Sequence, residues 1–215
     1  MIENHKVMNK ILLKIIIFGA LSLVTSTYAQ RPLTPAQKMR QQEVRTQYAQ
    51  AQQFAEAQKK DSEYSHVLTT RFNRMESVVG RVEETIEFYS NEREGEYAGV
   101  TCYDLWLVRR SIKRPQAILG DIYQEFLFSS KTGNLIFFYS TSSNWWAGDP
   151  VNVEYRCYFN EDGSMSSSNV KLKSQGTSSE PYYPDELQDY EGIDALKMQK
   201  SMKDAFNALV NSNND

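Results

Sequence analysis

The sequence predicts an α+β fold: a curved antiparallel β-meander of about six or seven strands, with an N-terminal and a C-terminal helix packed against it. Three observations carry this. Between His66 and Lys173 most stretches alternate apolar and polar residues, the period of a strand with one buried face. These stretches follow one another through short turn signals, which suits hairpins rather than the long crossovers of a parallel sheet. Helical periodicity occurs only before and after them, so both helices are expected on one face of a sheet that can curl.

Taken in order, residues 1–29 read as a signal peptide. His5, Lys6, Lys10 and Lys14 precede the apolar run Ile15 to Val24 and the small-residue exit Thr27-Tyr28-Ala29. That apolar run is too short for a bilayer span of about 20 residues, so no stable membrane span is expected after leader removal. The mature product is expected in a periplasm or outside the cell. Residues 30–63 carry the N-terminal Gln/Ala-rich helix, and residues 64–215 a single α+β domain that includes the C-terminal helix and forms one unit with the first. Thr34-Pro35-Ala36-Gln37 supplies an N-cap, a proline at the first helical position and a capping-box glutamine. The helix should run from about Pro35 to about Lys60, with Met39, Val44, Tyr48, Ala51, Phe54 and Ala55 as a thin apolar stripe.

Strands are expected at His66 to Phe72, then around Val82 to Tyr89, with an acidic loop from Asn91 to Gly99. The next runs from Thr101 to Ile112 and ends in the basic group Arg109, Arg110, Lys113 and Arg114. Ile122 to Phe128 and Leu135 to Tyr139 form a hairpin around Gly133 and Asn134, residues that tolerate positive φ. Val151 to Phe159 alternates strictly, and a Ser-rich edge strand ends near Lys173. The last helix spans about Ile193 to Val210. Between Tyr123 and Phe159 lie eleven aromatic residues, which must supply much of the core.

Removing the leader takes away three lysines and one glutamate, so the formal charge of −3 becomes −5. That balance argues against nucleic acid, whose binding needs a basic surface. Cys102 and Cys157 would both enter an oxidising compartment and are a candidate disulfide; closing the 55-residue span between them would stabilise by about 4 kcal/mol. Burial of either thiol in the core is the alternative.

Chemistry-bearing motifs are sparse. The mature chain has one histidine, His66, and no HExxH, GxSxG, Walker loop, GxGxxG or CxxC pattern, so no cofactor or metal is expected. Glu84, Glu87, Glu125 and Glu154 could serve a carboxylate-dependent hydrolase, but each sits on the polar side of its strand and reads as solvated. The basic group reads as a solvated loop partnered by acidic loops such as Glu92, Glu94 and Glu96. The candidate ligand-binding residues are Trp145 and Trp146, in a connection rich in Ser, Asn, Gly and Pro, where an exposed indole could stack on a sugar or anchor a partner. The expected function is a non-enzymatic exported binding module for a glycan, peptide or envelope protein. The alternative is a structural or assembly-accessory protein.

Overall fold

A computed structural model describes residues 32–60, 67–77, 80–94, 101–115, 120–146, 149–174 and 185–211. The expected leader and His66 lie outside them. The elements are α1 (Pro35–Lys60), β1 (Val67–Glu76), β2 (Gly80–Glu94), β3 (Thr101–Lys113), β4 (Ile122–Phe128), β5 (Leu135–Trp146), β6 (Asp149–Phe159), β7 (Met165–Ser174) and α2 (Asp185–Asn211). The strands form one antiparallel seven-stranded sheet whose spatial order is the chain order. The α+β meander read from the sequence is therefore the fold, with longer strands than expected: β2 and β5 continue into Glu94 and Trp146.

Local chemistry sets the boundaries. The α1 start is a capping box, with the Gln37 amide donating to Thr34 Oγ1 at 3.2 Å and the Thr34 amide donating to Gln37 Oε1 at 2.9 Å. The β4–β5 turn closes through the Gly133 amide on the Ser129 carbonyl at 2.8 Å, with Gly133 at φ 66°. Only a residue without a Cβ takes that conformation freely.

The two helices do not share a face. On one side, Ala195, Met202 and Phe206 of α2 cover Ile86, Phe88, Val108, Phe126, Phe128, Leu135, Phe138, Cys157 and Phe159. On the other, Val44, Ala51 and Ala55 of α1 cover Tyr89, Leu107, Leu127, Ile136, Phe137 and Tyr158. The physical reason is that the central strands are apolar on both sides: Phe126-Leu127-Phe128 and Leu135 to Phe138 are continuous runs, which a half-solvated sheet would expose. A bulge adjusts the second run. Leu127 pairs with Phe137 and Phe128 with Leu135, so Ile136 is the extra residue, and it joins Phe137 under α1.

At one margin, β1 is covered by neither layer over most of its length. Its residues 71–75 are exposed on both faces, including Phe72 and Met75.

Candidate functional site

Because both faces are covered, strand positions that read as solvated become buried. On the α1 face Glu125, only 3% exposed, accepts hydrogen bonds from the Tyr48 and Tyr123 hydroxyls and from Gln52 Nε2 at 3.1 Å. Arg109 Nε lies 3.3 Å from the same carboxylate. The Arg109 guanidinium also reaches Gln52 Oε1 and, at 3.2 Å, Glu56 Oε1, and stands 5.4 Å from the Tyr89 ring centroid. Burial, and then the Glu125 carboxylate that each phenol donates to, hold Tyr48 and Tyr123 well above the ordinary phenol range, so both remain neutral donors. The network ties β3 and β4 to α1.

The α2 face carries a second ion cluster. Glu84 accepts from Arg110 Nε at 2.7 Å and Arg74 Nη1 at 2.5 Å, and Arg110 Nη1 donates to Gln124 Oε1 at 2.9 Å. Burial pushes the Glu84 carboxyl up, but the hydrogen bonds and charges of Arg110 and Arg74 outweigh it and hold the group below the ordinary carboxylate range. These pairs correct two expectations. Glu84 and Glu125 are buried rather than solvated, and Arg109 and Arg110 are strand residues on opposite faces rather than a loop paired with Glu92, Glu94 or Glu96. The signal was present in the sequence as adjacent arginines inside an alternating strand, since neighbours in a strand point to opposite sides. Glu84 and Glu125 are likewise on opposite faces, so they cannot flank one glycosidic bond as an acid pair.

Among the described residues, an open volume lies elsewhere. A cleft of about 480 Å³ is lined by Tyr103, Asp104 and Leu105 of β3, by Ser129 to Gly133 of the β4–β5 turn, and by Lys203, Phe206 and Asn207 of α2. That volume falls within the range of small-molecule sites. The turn wall is stiff: Ser129 Oγ accepts from the Lys131 amide at 3.1 Å, and Asn134 Nδ2 donates to the Glu161 carbonyl at 2.9 Å, linking this turn to the β6–β7 turn. Phe206 is buried and lies at the base, while Tyr103 is exposed. Lys203 Nζ stands 5.4 Å from the Phe128 ring centroid, and burial pushes its ammonium down. Sequence reading missed this cleft because its residues come from three distant segments and carry no motif.

Trp145 and Trp146 belong to the end of β5, not to an irregular connection: their backbones pair with Pro150 and Asp149. Their side chains lie outside the described part of the structure. The cleft borders the opposite end of the same strand, about 35–40 Å away at the rise of an extended chain. Cys102 and Cys157 carry no disulfide; Cys157 is buried under α2 and Cys102 is half-buried. They stand on β3 and β6, three strand spacings or about 14 Å apart across the sheet, and Cys157 is in register with Val108 rather than with Cys102, which adds a further offset along the strands. Among the described residues no group of three or more His, Cys, Asp or Glu side chains could hold a metal ion. No protein-family model matches the chain, and neither the curated proteins nor the solved structures contain a match.

Proposed function

We propose that the chain is an exported, non-enzymatic binding module, periplasmic or secreted, that takes a group of a glycan, peptide or envelope partner into the cleft between β3, the β4–β5 turn and α2. One observation carries this reading. The buried carboxylates Glu84 and Glu125 are occupied by internal donors, whereas the cleft is lined by Lys203, Asn207 and Ser130 beside apolar side chains around unfilled volume. Convergent polar groups around an apolar floor are the general form of a small-ligand site. Trp145 and Trp146 remain a second place for the same partner, at the far end of β5.

The test is a glycan and peptide array probed with the mature protein, with the cleft-filling Ser130→Trp variant, and with Trp145→Ala and Trp146→Ala. Binding should be lost in Ser130→Trp while its unfolding midpoint stays within a few degrees of the parent. Retained binding in Ser130→Trp, with loss in either tryptophan variant, would move the site to the far end of the sheet and reject the cleft.

A structural or assembly-accessory role is favoured by a different observation: the outer margin at β1 carries Phe72 and Met75 exposed at 52% and 76% on a regular ten-residue strand. Edge strands of this kind are normally blunted. Self-association in sedimentation velocity that Phe72→Lys abolishes would support that role.

A further inference from the structure

We propose that the group bound in the cleft is a carboxylate attached to a ring-sized body, with Lys203 as its counter-ion. This rests on the binding reading above and adds the charge and shape of the ligand.

Four of this protein's other shielded cations are held by carboxylates, and Arg114 at the end of β3 is the exception among the described residues. Arg40 pairs with Glu43 and Glu161, Arg109 with Glu56 and Glu125, Arg110 with Glu84, and Arg156 with Glu154. Lys203 is half-buried on α2 and makes no ion pair with a described residue; its recorded contact is the face of Phe128. A ring face offsets only part of the lost hydration of an ammonium. The cationic form is correspondingly disfavoured, and burial lowers its proton affinity. An anion entering the cleft would restore what burial removed, and a charge-assisted hydrogen bond in a shielded site is stronger than one in open water.

The rest of the wall sets the shape. Lys131 adds a second ammonium at the exposed rim and Asp104 a single carboxylate, so the described lining is net basic in a chain of net charge −3. Half-buried Leu105 and exposed Tyr103 give an apolar surface to the cleft, over the buried Phe206. A bare inorganic anion would leave that surface uncovered, whereas a planar or sugar ring bearing one carboxylate would cover it and place its charge on Nζ.

The experiment titrates the mature protein, with its lysine side chains isotopically labelled for NMR, with matched pairs: benzoate against benzyl alcohol, and glucuronate against glucose. Inorganic phosphate is the ring-free anion. Lys203→Met keeps an apolar stem over Phe128, and Lys203→Arg keeps the charge; urea unfolding confirms that each is folded. The acids should shift the Lys203 resonance saturably and raise its pKa, the neutral partners should bind at least tenfold more weakly, and Lys203→Met should lose tenfold or more where Lys203→Arg does not. Benzoate and glucuronate together separate an aromatic acid from a sugar acid as the source of the carboxylate. Phosphate binding as tightly as either acid would overturn the ring assignment. Neutral partners binding as tightly, with Lys203→Met unaffected, would overturn the charge assignment while leaving the cleft a binding site. If no probe shifts a cleft resonance, the carboxylate assignment falls, and the Ser130→Trp array result then decides separately whether the cleft binds anything.

Discussion

On the α2 face of the sheet, Phe206, Met202 and Ala195 close an apolar layer over Phe88, Phe126 and Phe138, whereas on the α1 face Val44, Ala51 and Ala55 share the interface with Arg109, Glu125 and the hydroxyls of Tyr48 and Tyr123. The same strands serve both layers, so backbone differences do not explain the contrast. What differs is the directionality of the forces. Apolar burial scales with area and accepts small shifts of α2, while Glu125 is satisfied only when Tyr48 and Gln52 arrive in one register of α1. A helix with a thin apolar stripe is thereby held in one place by groups that its composition does not advertise.

The largest expected effect tests that contrast directly. Phe206→Ala should cost about 3–5 kcal/mol in urea unfolding, and Phe206→Leu, which retains most of the volume, about 1–2 kcal/mol. On the other face, Arg109→Met should also cost about 3–5 kcal/mol, because it strips a buried carboxylate of its counter-ion. The double variant Arg109→Met/Glu125→Leu should recover much of that loss. If the double variant is simply additive, the α1 network is not coupled, and the two faces are held down in the same way.

The fold was legible in the sequence because its signals are local. The capping box at Thr34 and Gln37, the positive-φ turn at Gly133 and the alternation of Val153, Tyr155 and Cys157 each act within a few residues. The placement of the helices was not, because it depends on which faces become covered, and alternation in Glu83 to Tyr89 looks the same whether the polar side meets water or α1. The continuous runs at Phe126 to Phe128 and Leu135 to Phe138 did hold that information. Once both faces are covered, Glu84, Glu125 and Arg109 must find partners inside, and they do. The cleft had no such signal: Tyr103, Lys131 and Lys203 meet only through tertiary packing.

An intermediate effect sharpens the account of the α1 face. Tyr123→Phe removes one hydroxyl donor from Glu125 and leaves the ring beside Tyr139, so it should cost about 1.5–3 kcal/mol, the range for a hydrogen bond to a charged group. Tyr48→Phe should fall in the same range, and the pair should be non-additive because both phenols serve one carboxylate. Losses below about 0.5 kcal/mol for both would mean that the glutamate is satisfied by Gln52 and Arg109 alone.

The smallest effect concerns pH and belongs to the α2 face, where the Glu84 ion cluster sits at the margin of the apolar layer. Glu84 is held below the ordinary carboxylate range when folded. Between its unfolded and folded values the unfolded chain therefore binds more protons, and stability must fall as pH drops through that window. Above the ordinary carboxylate range the contribution is complete; below the folded value it is gone. The effect is modest because Arg74, one of the two partners, is 42% exposed and solvent screens its share. Unfolding midpoints measured from neutral pH down to about pH 2 should show an acid limb that Glu84→Gln flattens, since the variant has no proton to take up. A variant limb as steep as the parent's would assign acid sensitivity to other groups, of which Glu161 is the first to examine: burial raises its carboxyl, but Ser129, Arg40 and Thr132 together hold it below the ordinary range. Glu161 bonds to the β4–β5 turn through Thr132 Oγ1 at 3.2 Å, so acid loss traced to it would loosen the wall of the cleft rather than the margin of the sheet.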